Sequence, residues 1–331
     1  MLRCRWCGEA YNEADNFDRA ENGFWCDVCD GFTHYNPAAG DRHRMLLLLE
    51  RADAKEVKCG VGELPRPMRM RKRVSPLRYP GGKSKMIDYL YTQLLTGFTD
   101  TFVEVFAGGA SLGLSLLDAG CINKLVLNDY DPMVYAFWNI CLNNPEYLCN
   151  RIDQRLPSLE DFWNAKTVMH KNQTGEKVSD EELAWAFFLL NRTAFSGIVL
   201  AHPMGGKNGD MKKFLSRWNP EALKRRIRRV SELAPKIELY NKDCNAFLEE
   251  EAYWISNCTL FVDPPYTVGK SLYKSSFNNE DHRRLAELLE TLYTGMDGPD
   301  IILTYDDHPM IRELYPLAEQ RVVGRVYSIA N

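Results

Sequence analysis

The sequence predicts an α/β protein in which one sheet is interrupted by a mostly helical insert and preceded by a small cysteine-rich module. Three observations predict this organisation. Apolar strands that each lead through a glycine-rich, acidic or proline-containing turn recur along the chain, beginning at TFVEVF, KLVLND and TLFVDPP. A polar stretch that ends in a strongly basic helix separates the second of these strands from the third. Two closely spaced cysteine pairs lie near the N-terminus.

Composition limits the class of protein. The 331 residues are 45% hydrophobic and 26% charged, so the chain is long and apolar enough to bury one or two cores without disulfides. No apolar run is long enough to span a membrane, and the N-terminus lacks the apolar segment of a secretory signal. We therefore expect a cytoplasmic protein without a membrane partner.

The charge distribution leaves nucleic-acid binding open. A formal net charge of −4 argues against coating nucleic acid by bulk attraction. Two local basic runs, at 66–73 and 224–229, could still neutralise phosphates. The alternative, which we favour for isolated runs, is that they form a solvated linker and a solvated helix face.

The first 40 residues are predicted to form a zinc ribbon. Cys4, Cys7, Cys26 and Cys29 have the spacing C-x2-C-x18-C-x2-C. Two such pairs can complete a tetrahedral structural zinc site, and metal binding would supply much of the folding free energy of so small a module. The alternative, a redox dithiol, is disfavoured because no βαβ pattern surrounds the pairs.

Residues 41–74 are predicted to connect this module to the rest of the chain. The pattern DRHRMLLLLERADAKEVK indicates a helix from Asp41 to about Lys58, and the following GVGELPRPMRMRKRV indicates a basic linker. A domain boundary near residue 74 follows.

The next elements indicate a cofactor pocket. A proline and glycine turn places Lys83 at the start of a helix, and the strand TFVEVF continues through a glycine-rich turn into another helix. This turn lets the backbone approach a bound cofactor closely, but it is not G-x-G-x-x-G and so does not imply a dinucleotide. The strand KLVLND ends in Asp129, which could accept hydrogen bonds from ribose hydroxyls. Alternatively, Asp129 or Asp131 caps the next helix.

The later strands carry a second group of polar residues. Asp243 lies at the exit of KIELYNKD, and TLFV leads directly into Asp263, Pro264, Pro265 and Tyr266. The prolines fix a rigid loop that presents a carboxylate, a backbone carbonyl and an aromatic ring. This array suits a planar base with an exocyclic amine, because the two oxygens accept hydrogen bonds and the ring stacks.

Four segments together resemble the Dam-type family of DNA adenine methyltransferases, the α-ordered D12 class. They are YPGGK at 79–83, VEVFAGGAS at 103–111, LND at 127–129 and DPPY at 263–266. LNRTAFSG at 190–197 and RWNP at 217–220 are also similar to that family. The order and spacing match over roughly 75–331, and this joint match is far more specific than any single motif.

The resemblance implies a Rossmann-like S-adenosylmethionine-dependent methyltransferase sheet, at 75–155 and 232–331, with an inserted target-recognition domain at 156–231. It implies a site-specific enzyme that methylates the N6 amine of a flipped adenine in double-stranded DNA, in a bacterial or phage-infected cell. Residues that would bind S-adenosylmethionine are Tyr79, Lys83, Glu104, Phe106, Gly108, Asp129, Asp243 and Asp263. The catalytic residues would be Asp263, Pro264, Pro265 and Tyr266.

The insert is where DNA is expected to be contacted. Small residues in its loop allow close backbone approach, an aromatic side chain could act as a wedge, and basic side chains could bind phosphates or guanines. The candidate residues are Arg192, Phe195, Ser196, Lys207, Lys212, Lys213 and Arg217.

The chain departs from the family pattern in three places. Tyr79 stands where relatives such as Dam carry Trp, the family core does not require the zinc module, and the chain stops at Asn331 where a further short strand and a basic tail are expected. An RNA adenine methyltransferase would have the same cofactor site, and an inactive zinc-dependent DNA-binding adaptor is a rival from another class. A protein-glutamine methyltransferase is a weaker rival, because such enzymes usually resemble N-P-P-Y at the loop and would lack the basic insert. The recognised sequence and any link to a restriction system stay open.

Overall fold

The computed structural model describes residues 44–51, 74–79, 81–94, 99–206, 209–255, 257–267, 277–295 and 299–324, and the backbone of five short N-terminal strands. Of these strands, β1 (Leu2–Arg3) pairs antiparallel with β2 (Ala10–Tyr11). The other three, β3 (Phe17–Asp18), β4 (Gly23–Trp25) and β5 (Phe32–His34), form an antiparallel sheet. The four cysteines predicted to bind zinc lie outside the described residues, so that site stays a prediction.

A seven-stranded parallel sheet forms the centre of the protein, which confirms the predicted α/β fold. Its order is β12-β6-β11-β10-β7-β8-β9, and every neighbouring pair is parallel. The strands are β6 (Met45–Arg51), β7 (Thr101–Glu104), β8 (Lys124–Asn128), β9 (Ile237–Tyr240), β10 (Cys258–Val262), β11 (Asp300–Asp306) and β12 (Glu319–Gly324). The strand order reverses between β7 and β10, where α/β sheets bind ligands.

Helices cover both faces of this sheet. The first face and the insert carry α1 (Ile87–Gln93), α2 (Ser111–Asp118), α3 (Pro132–Asn143), α4 (Pro145–Gln154), α5 (Leu159–Gln173), α6 (Asp180–Thr193), α7 (Met211–Phe214) and α8 (Pro220–Leu233). The second face carries α9 (Cys244–Glu250), α10 (Asn279–Gly295) and α11 (Pro309–Leu314). Because both faces are covered, the interior strands are buried almost along their whole length rather than at alternate residues, whereas the edge strands β9 and β12 carry exposed residues.

The helix predicted from Asp41 to about Lys58 is wrong for Met45–Arg51, which form β6. This strand lies between β11 and β12, and its residues from Met45 to Glu50 are all buried. Leu46 and Leu48 pack into the core on one face of the sheet, and Leu47 and Leu49 into the core on the other. An apolar run fits a buried helix and an interior parallel strand equally well, so periodicity could not separate them.

The insert is helical, as predicted. Its helices α5 and α6 begin with capping boxes at Ser158 and Ser179, each of which satisfies backbone donors of the first turn. Helix α6 packs against α3, where the rings of Phe137 and Phe188 stack with centroids 5.6 Å apart. The insert is therefore anchored to the sheet domain by an aromatic core.

The basic run on α8 forms ion pairs within the protein. Arg228 pairs with Glu146 at 2.8 Å, and Lys224 pairs with Asp153 at 2.7 Å. Arg229 binds Asp118 at 2.6 Å. For Lys224, Arg228 and Arg229, these contacts favour the structural interpretation over a role in DNA binding. Among the helices that the structure describes, none is both long and apolar enough to cross a membrane.

Candidate active site

A cleft of about 300 Å³ lies at the carboxyl ends of β7, β8 and β10, where the strand order reverses. It is lined by turns that follow these strands and by part of the insert. Every residue predicted to hold the cofactor lines it: Tyr79, Lys83, Glu104, Phe106, Gly108, Asp129, Asp243 and Asp263. Residues far apart in sequence thus converge because parallel strands end at one edge of a sheet.

The glycine-rich turn after β7 forms one wall of the cleft. Gly108 has φ +44°, and a Cβ at this position would come within 2.8 Å of Cε1 of Tyr79. A Cβ on Gly109 would come within 2.8 Å of Cβ of the same tyrosine. Trp138 fixes the turn from behind by donating from Nε1 to the Gly108 carbonyl at 2.9 Å. Glycine is therefore needed here for the close approach of Tyr79 as well as for the positive φ.

Asp129 ties β8 to this turn. Its Oδ2 accepts from the Gly108 amide at 2.8 Å, and its Oδ1 accepts from the Asp131 amide at 2.9 Å. Burial raises the pKa of Asp129 to about 7, although these two hydrogen bonds oppose the rise. Asp131 is the residue that caps α3, through the Met133 amide. The alternative in which one of the two acids is a helix cap is thus correct for Asp131.

Glu104 lies at the end of β7 and is buried, with 3% of its surface exposed. Its Oε1 accepts from the Gly113 amide at 2.6 Å. Burial raises the pKa of Glu104 to about 8. The hydrogen bond from Gly113 opposes the rise, Asp263 adds to it and Lys83 opposes it. The carboxyl group is therefore mostly protonated at neutral pH.

Asp263, directly after β10, is held by two donors. Lys83 donates from Nζ to its Oδ1 and Oδ2 at 2.8 and 2.7 Å, and Thr304 donates to Oδ1 at 2.6 Å. Lys83 also donates to the Gly81 carbonyl at 2.9 Å and to the Tyr266 hydroxyl at 3.0 Å. The carboxylate, which is 20% exposed, is thereby fixed at the cleft with lone pairs that can still accept from a ligand.

Hydrogen bonds also anchor the last residues of the loop that follows β10, Tyr266 and Thr267. The Thr267 amide donates to Asp306 at 2.9 Å, and the Tyr266 hydroxyl donates to Glu50 at 3.0 Å. Pro265 lines the cleft, whereas Pro264 and Tyr266 are not among its lining residues. The Tyr266 ring is 9% exposed and lies 6.2 Å from the ring of Tyr305. Stacking of Tyr266 on a base stays a prediction.

One acceptor in the cleft has no hydrogen-bond partner among the described residues. It is Oδ1 of Asn245, a residue that is 9% exposed and follows the predicted Asp243 by two positions. Asp243 caps α9 through the Asn245 amide at 3.0 Å. A buried acceptor normally has a donor, so this atom is suited to a ligand amine. Together with the Asp129 carboxylate and the ring of Phe106, it fits a nucleoside cofactor such as S-adenosylmethionine.

Part of the cleft comes from the insert, which the sequence did not indicate. Residues 197–200 line it, directly after the LNRTAFS segment. Asn191 joins this segment to the YPGGK turn: its Oδ1 accepts from the Arg78 amide at 2.8 Å, and its Nδ2 donates to the Arg78 carbonyl at 2.8 Å. The sequence placed Asn191 in the LNRTAFSG motif, but it did not predict the hydrogen bonds with Arg78. Asn245, Phe277 and Asp281 also line the cleft and carried no motif.

The residues predicted to bind DNA differ in their exposure to solvent. Phe195 is 47% exposed, and Ser196 has φ 55°. Lys212 and Lys213 are exposed on α7, and Lys207 lies outside the described residues. Arg217 is partly buried, and its carbonyl accepts from Arg192.

Arg192 points inward and belongs to a cluster of arginines. It also donates to the Pro76 carbonyl at 3.4 Å. The pKa of Arg192 is lowered to about 10, mainly by burial and then by the charges of Arg226, Arg217 and Arg78, in that order. It therefore stays cationic at neutral pH. The charged neighbours that lower its pKa are arginines, and a local group of positive charges attracts anions.

Two comparisons with known proteins bear on this geometry. The model of a family described as D12 class N6 adenine-specific DNA methyltransferase matches residues 79–329. Modification methylase LlaI of Lactococcus lactis subsp. lactis is 25% identical over 222 residues, which are 66% of this chain and 34% of that protein. The chain thus spans about a third of the length of the curated relative it matches. Strand β6 lies outside the segment that matches the family model.

Proposed function

The chain belongs to the D12 class of N6 adenine-specific DNA methyltransferases, and from this we propose that it methylates the N6 amine of an adenine turned out of double-stranded DNA. The observation that carries the proposal is the Asp263 carboxylate, held at the cleft by Lys83 and Thr304. A cytoplasmic location in a bacterial or phage-infected cell belongs to the same proposal.

S-adenosylmethionine, the expected methyl donor of the family, would supply an electrophilic methyl group when bound. Asp129 would accept hydrogen bonds from ribose hydroxyls, and Asp243 and Asn245 would lie at the adenine of the cofactor. Tyr79 and the glycine-rich turn would shape the wall beside it. The support for this assignment is that all these residues line one cleft and that Oδ1 of Asn245 lacks a donor within the described chain.

Asp263 and Pro264 would orient the target amine. The lone pair of an exocyclic amine is delocalised into the adenine ring, so it is a poor nucleophile until its geometry changes. By accepting the two hydrogen bonds of the amine, the Asp263 carboxylate and the Pro264 carbonyl would direct the lone pair into the cleft for direct transfer. Such positioning can contribute about 7–11 kcal/mol to lowering a barrier. The nitrogen–carbon bond would form as the carbon–sulfur bond of the methyl donor breaks, and the nitrogen would then lose one proton to solvent.

We propose that the insert contacts the DNA through Phe195, Ser196, Lys207, Lys212, Lys213 and Arg217. Phe195 and Leu200 are 47% and 41% exposed beside the cleft, as a wedge against base pairs requires. Arg192 supports this surface from within, because its guanidinium binds two backbone carbonyls. Its arginine neighbours would attract phosphates.

The N-terminal cysteines are proposed to hold a structural zinc ion. Within the described part of the chain, no group of three or more His, Cys, Asp or Glu residues could hold a metal ion. The basis of the proposal is the spacing of Cys4, Cys7, Cys26 and Cys29, which is typical of a zinc site with four cysteine ligands. Metal analysis of purified protein should give about one zinc ion per chain, and Cys26→Ser should lower that content; an unchanged content would contradict the assignment.

The deciding experiment supplies labelled S-adenosylmethionine with duplex DNA of mixed sequence, RNA or protein. We expect N6-methyladenine in DNA from the wild type and none from Asp263→Ala. Asp153→Ala removes a surface carboxylate paired with Lys224 and is the matched control, which should stay active. Label in RNA would support the rival RNA enzyme. Cofactor binding without transfer to any substrate would contradict the proposal, whereas DNA binding without cofactor binding would favour the adaptor.

A further inference from the structure

Glu50 lies at the end of β6, upstream of the segment that matches the family model. It is buried, with 2% of its surface exposed. Its Oε1 accepts from the Tyr266 hydroxyl at 3.0 Å and lies 3.4 Å from Nζ of Lys83. Its Oε2 is buried without a hydrogen-bond partner among the described residues. Burying a carboxylate that is only partly satisfied is costly, and such costs concentrate at functional sites.

The sheet register explains how Glu50 reaches the loop at 263–267, which follows β10 and is called the catalytic loop below. Glu50 pairs with Asp306 of β11, and Asp306 accepts from Thr267 at the end of the same loop. Two neighbouring carboxylates at the carboxyl edge of the sheet thus hold consecutive loop residues, Tyr266 and Thr267. The loop is fixed from below while its Asp263 faces the cleft.

Lys83 connects Glu50 to Asp263. Its Nζ contacts the carboxylates of both residues and the Tyr266 hydroxyl, which itself donates to Glu50. The ammonium group therefore lies between a buried acid and one that faces the ligand. The position of the Lys83 ammonium group depends on both Glu50 and Asp263, and the orientation of Asp263 depends in turn on Lys83.

We propose that Glu50 is a positioning residue for methyl transfer. It holds Tyr266 and Lys83 so that Lys83 fixes the Asp263 carboxylate in the orientation that the target amine requires. Glu50 is not among the residues that line the cleft, so it acts through these two side chains. The inference rests on the proposed function, and it assigns part of the active site to a strand outside the family match.

The test compares Glu50→Gln, Glu50→Ala, Tyr266→Phe and the double variant Glu50→Ala with Tyr266→Phe. Glu50→Gln keeps an acceptor for the Tyr266 hydroxyl but removes the charge next to Lys83, whereas Glu50→Ala removes both. Leu47→Val, on the same buried strand, is the control for lost packing. The measurements are kcat and KM for DNA, the Kd for S-adenosylhomocysteine by calorimetry, and urea unfolding.

We expect kcat to fall by about 10- to 100-fold in Glu50→Ala and by less in Glu50→Gln, since small misplacements of reacting groups have effects of this size. KM and Kd should change by less than about threefold on the same argument, because the cleft is not contacted. In the Tyr266→Phe background, Glu50→Ala should lower kcat by a smaller factor than in the wild type, because the two residues act as one unit.

Equal kcat losses in Glu50→Gln, Glu50→Ala and Leu47→Val at similar stability would overturn the inference, as would no loss in either Glu50 variant. If Glu50→Ala does not fold, the near-isosteric Glu50→Gln decides the question. A wild type that transfers no methyl group would overturn the proposed function and this inference with it. An active wild type with fully active Glu50 variants would overturn this inference alone.

Discussion

At the scale of single residues, Asp263 gains its orientation from side chains on other strands and turns. The motifs placed Asp263 and Lys83 in one site, and the structure brings them within 2.7 Å. Thr304 and Glu50 were not predicted, because they reach Asp263, Lys83 and Tyr266 through the register of neighbouring strands. A local sequence pattern contains no information on which strands become neighbours.

Glu104 gives a pH-dependent prediction. Its pKa of about 8 in the native protein exceeds its ordinary value of 4.5, so the native state binds the proton more tightly than the unfolded chain. Stability should therefore fall as pH rises between these values. Glu104→Gln keeps the acceptor for Gly113 and removes the titration.

Urea unfolding at pH 6 and pH 9 checks this prediction. The free energy of unfolding of Glu104→Gln relative to the wild type should increase by about 2–3 kcal/mol between the two pH values, since one pKa unit corresponds to about 1.4 kcal/mol. A constant difference would show that the Glu104 carboxyl does not titrate in this range.

Gly108 gives a second prediction at this scale. Gly108→Ala should destabilise the protein, because its Cβ would collide with Tyr79 in addition to occupying a positive φ. Gly120→Ala is the matched control: Gly120 has φ +71°, but a Cβ there would have nothing within 4 Å. We expect Gly108→Ala to lose about 1–3 kcal/mol more than the control, the typical effect of overpacking. Equal losses in urea unfolding would contradict the collision.

At the scale of elements, β6 shows the limit of prediction from pattern. The strands β7, β8, β9 and β10 were predicted because each ends in a recognisable turn. Strand β6 was predicted as a helix because MLLLLE has neither alternation nor a flanking turn signal. Only pairing with β11 and β12 determines its conformation, and these strands lie at the other end of the sequence.

Truncation tests the role of β6. Removing residues 1–73 deletes the strand between β11 and β12 and leaves their backbone groups unpaired, so we expect loss of cooperative unfolding and of cofactor binding. Removing only residues 1–40 keeps β6 and should preserve both. Circular dichroism melts and calorimetry with S-adenosylhomocysteine distinguish the two products. A folded, binding-competent product lacking residues 1–73 would show that the sheet does not need β6.

At the scale of the whole molecule, the family and its α/β fold could be predicted because the motifs, their order and their spacing agree, and the family match confirms both. The arrangement of charges could not be predicted. Three residues of the basic run on α8, Lys224, Arg228 and Arg229, form ion pairs with acids of other helices. Arg226 of the same run instead lies near Arg192, together with Arg78 and Arg217 from other segments. Basic residues that are close in the sequence therefore need not form one basic surface, and residues from distant segments can.

The salt dependence of DNA binding should distinguish Arg217, which is proposed to contact DNA, from Arg228, which is paired within the protein. Arg217→Ala should weaken binding to duplex DNA and reduce the slope of log K against log salt concentration by about 1, the effect of losing one phosphate contact. Arg228→Ala, whose side chain is paired with Glu146, should leave the slope unchanged. Fluorescence anisotropy at several salt concentrations measures both. Equal slopes in the two variants would contradict the proposal that Arg217 contacts DNA.

The pairing of β6 with β11 also has a consequence during synthesis. Met45 leaves the ribosome long before Ile301, its partner in the sheet. At about 5–20 residues per second, the apolar strand waits for tens of seconds without its neighbours. We expect it to be a binding site for chaperones on the nascent chain until β11 has been synthesised.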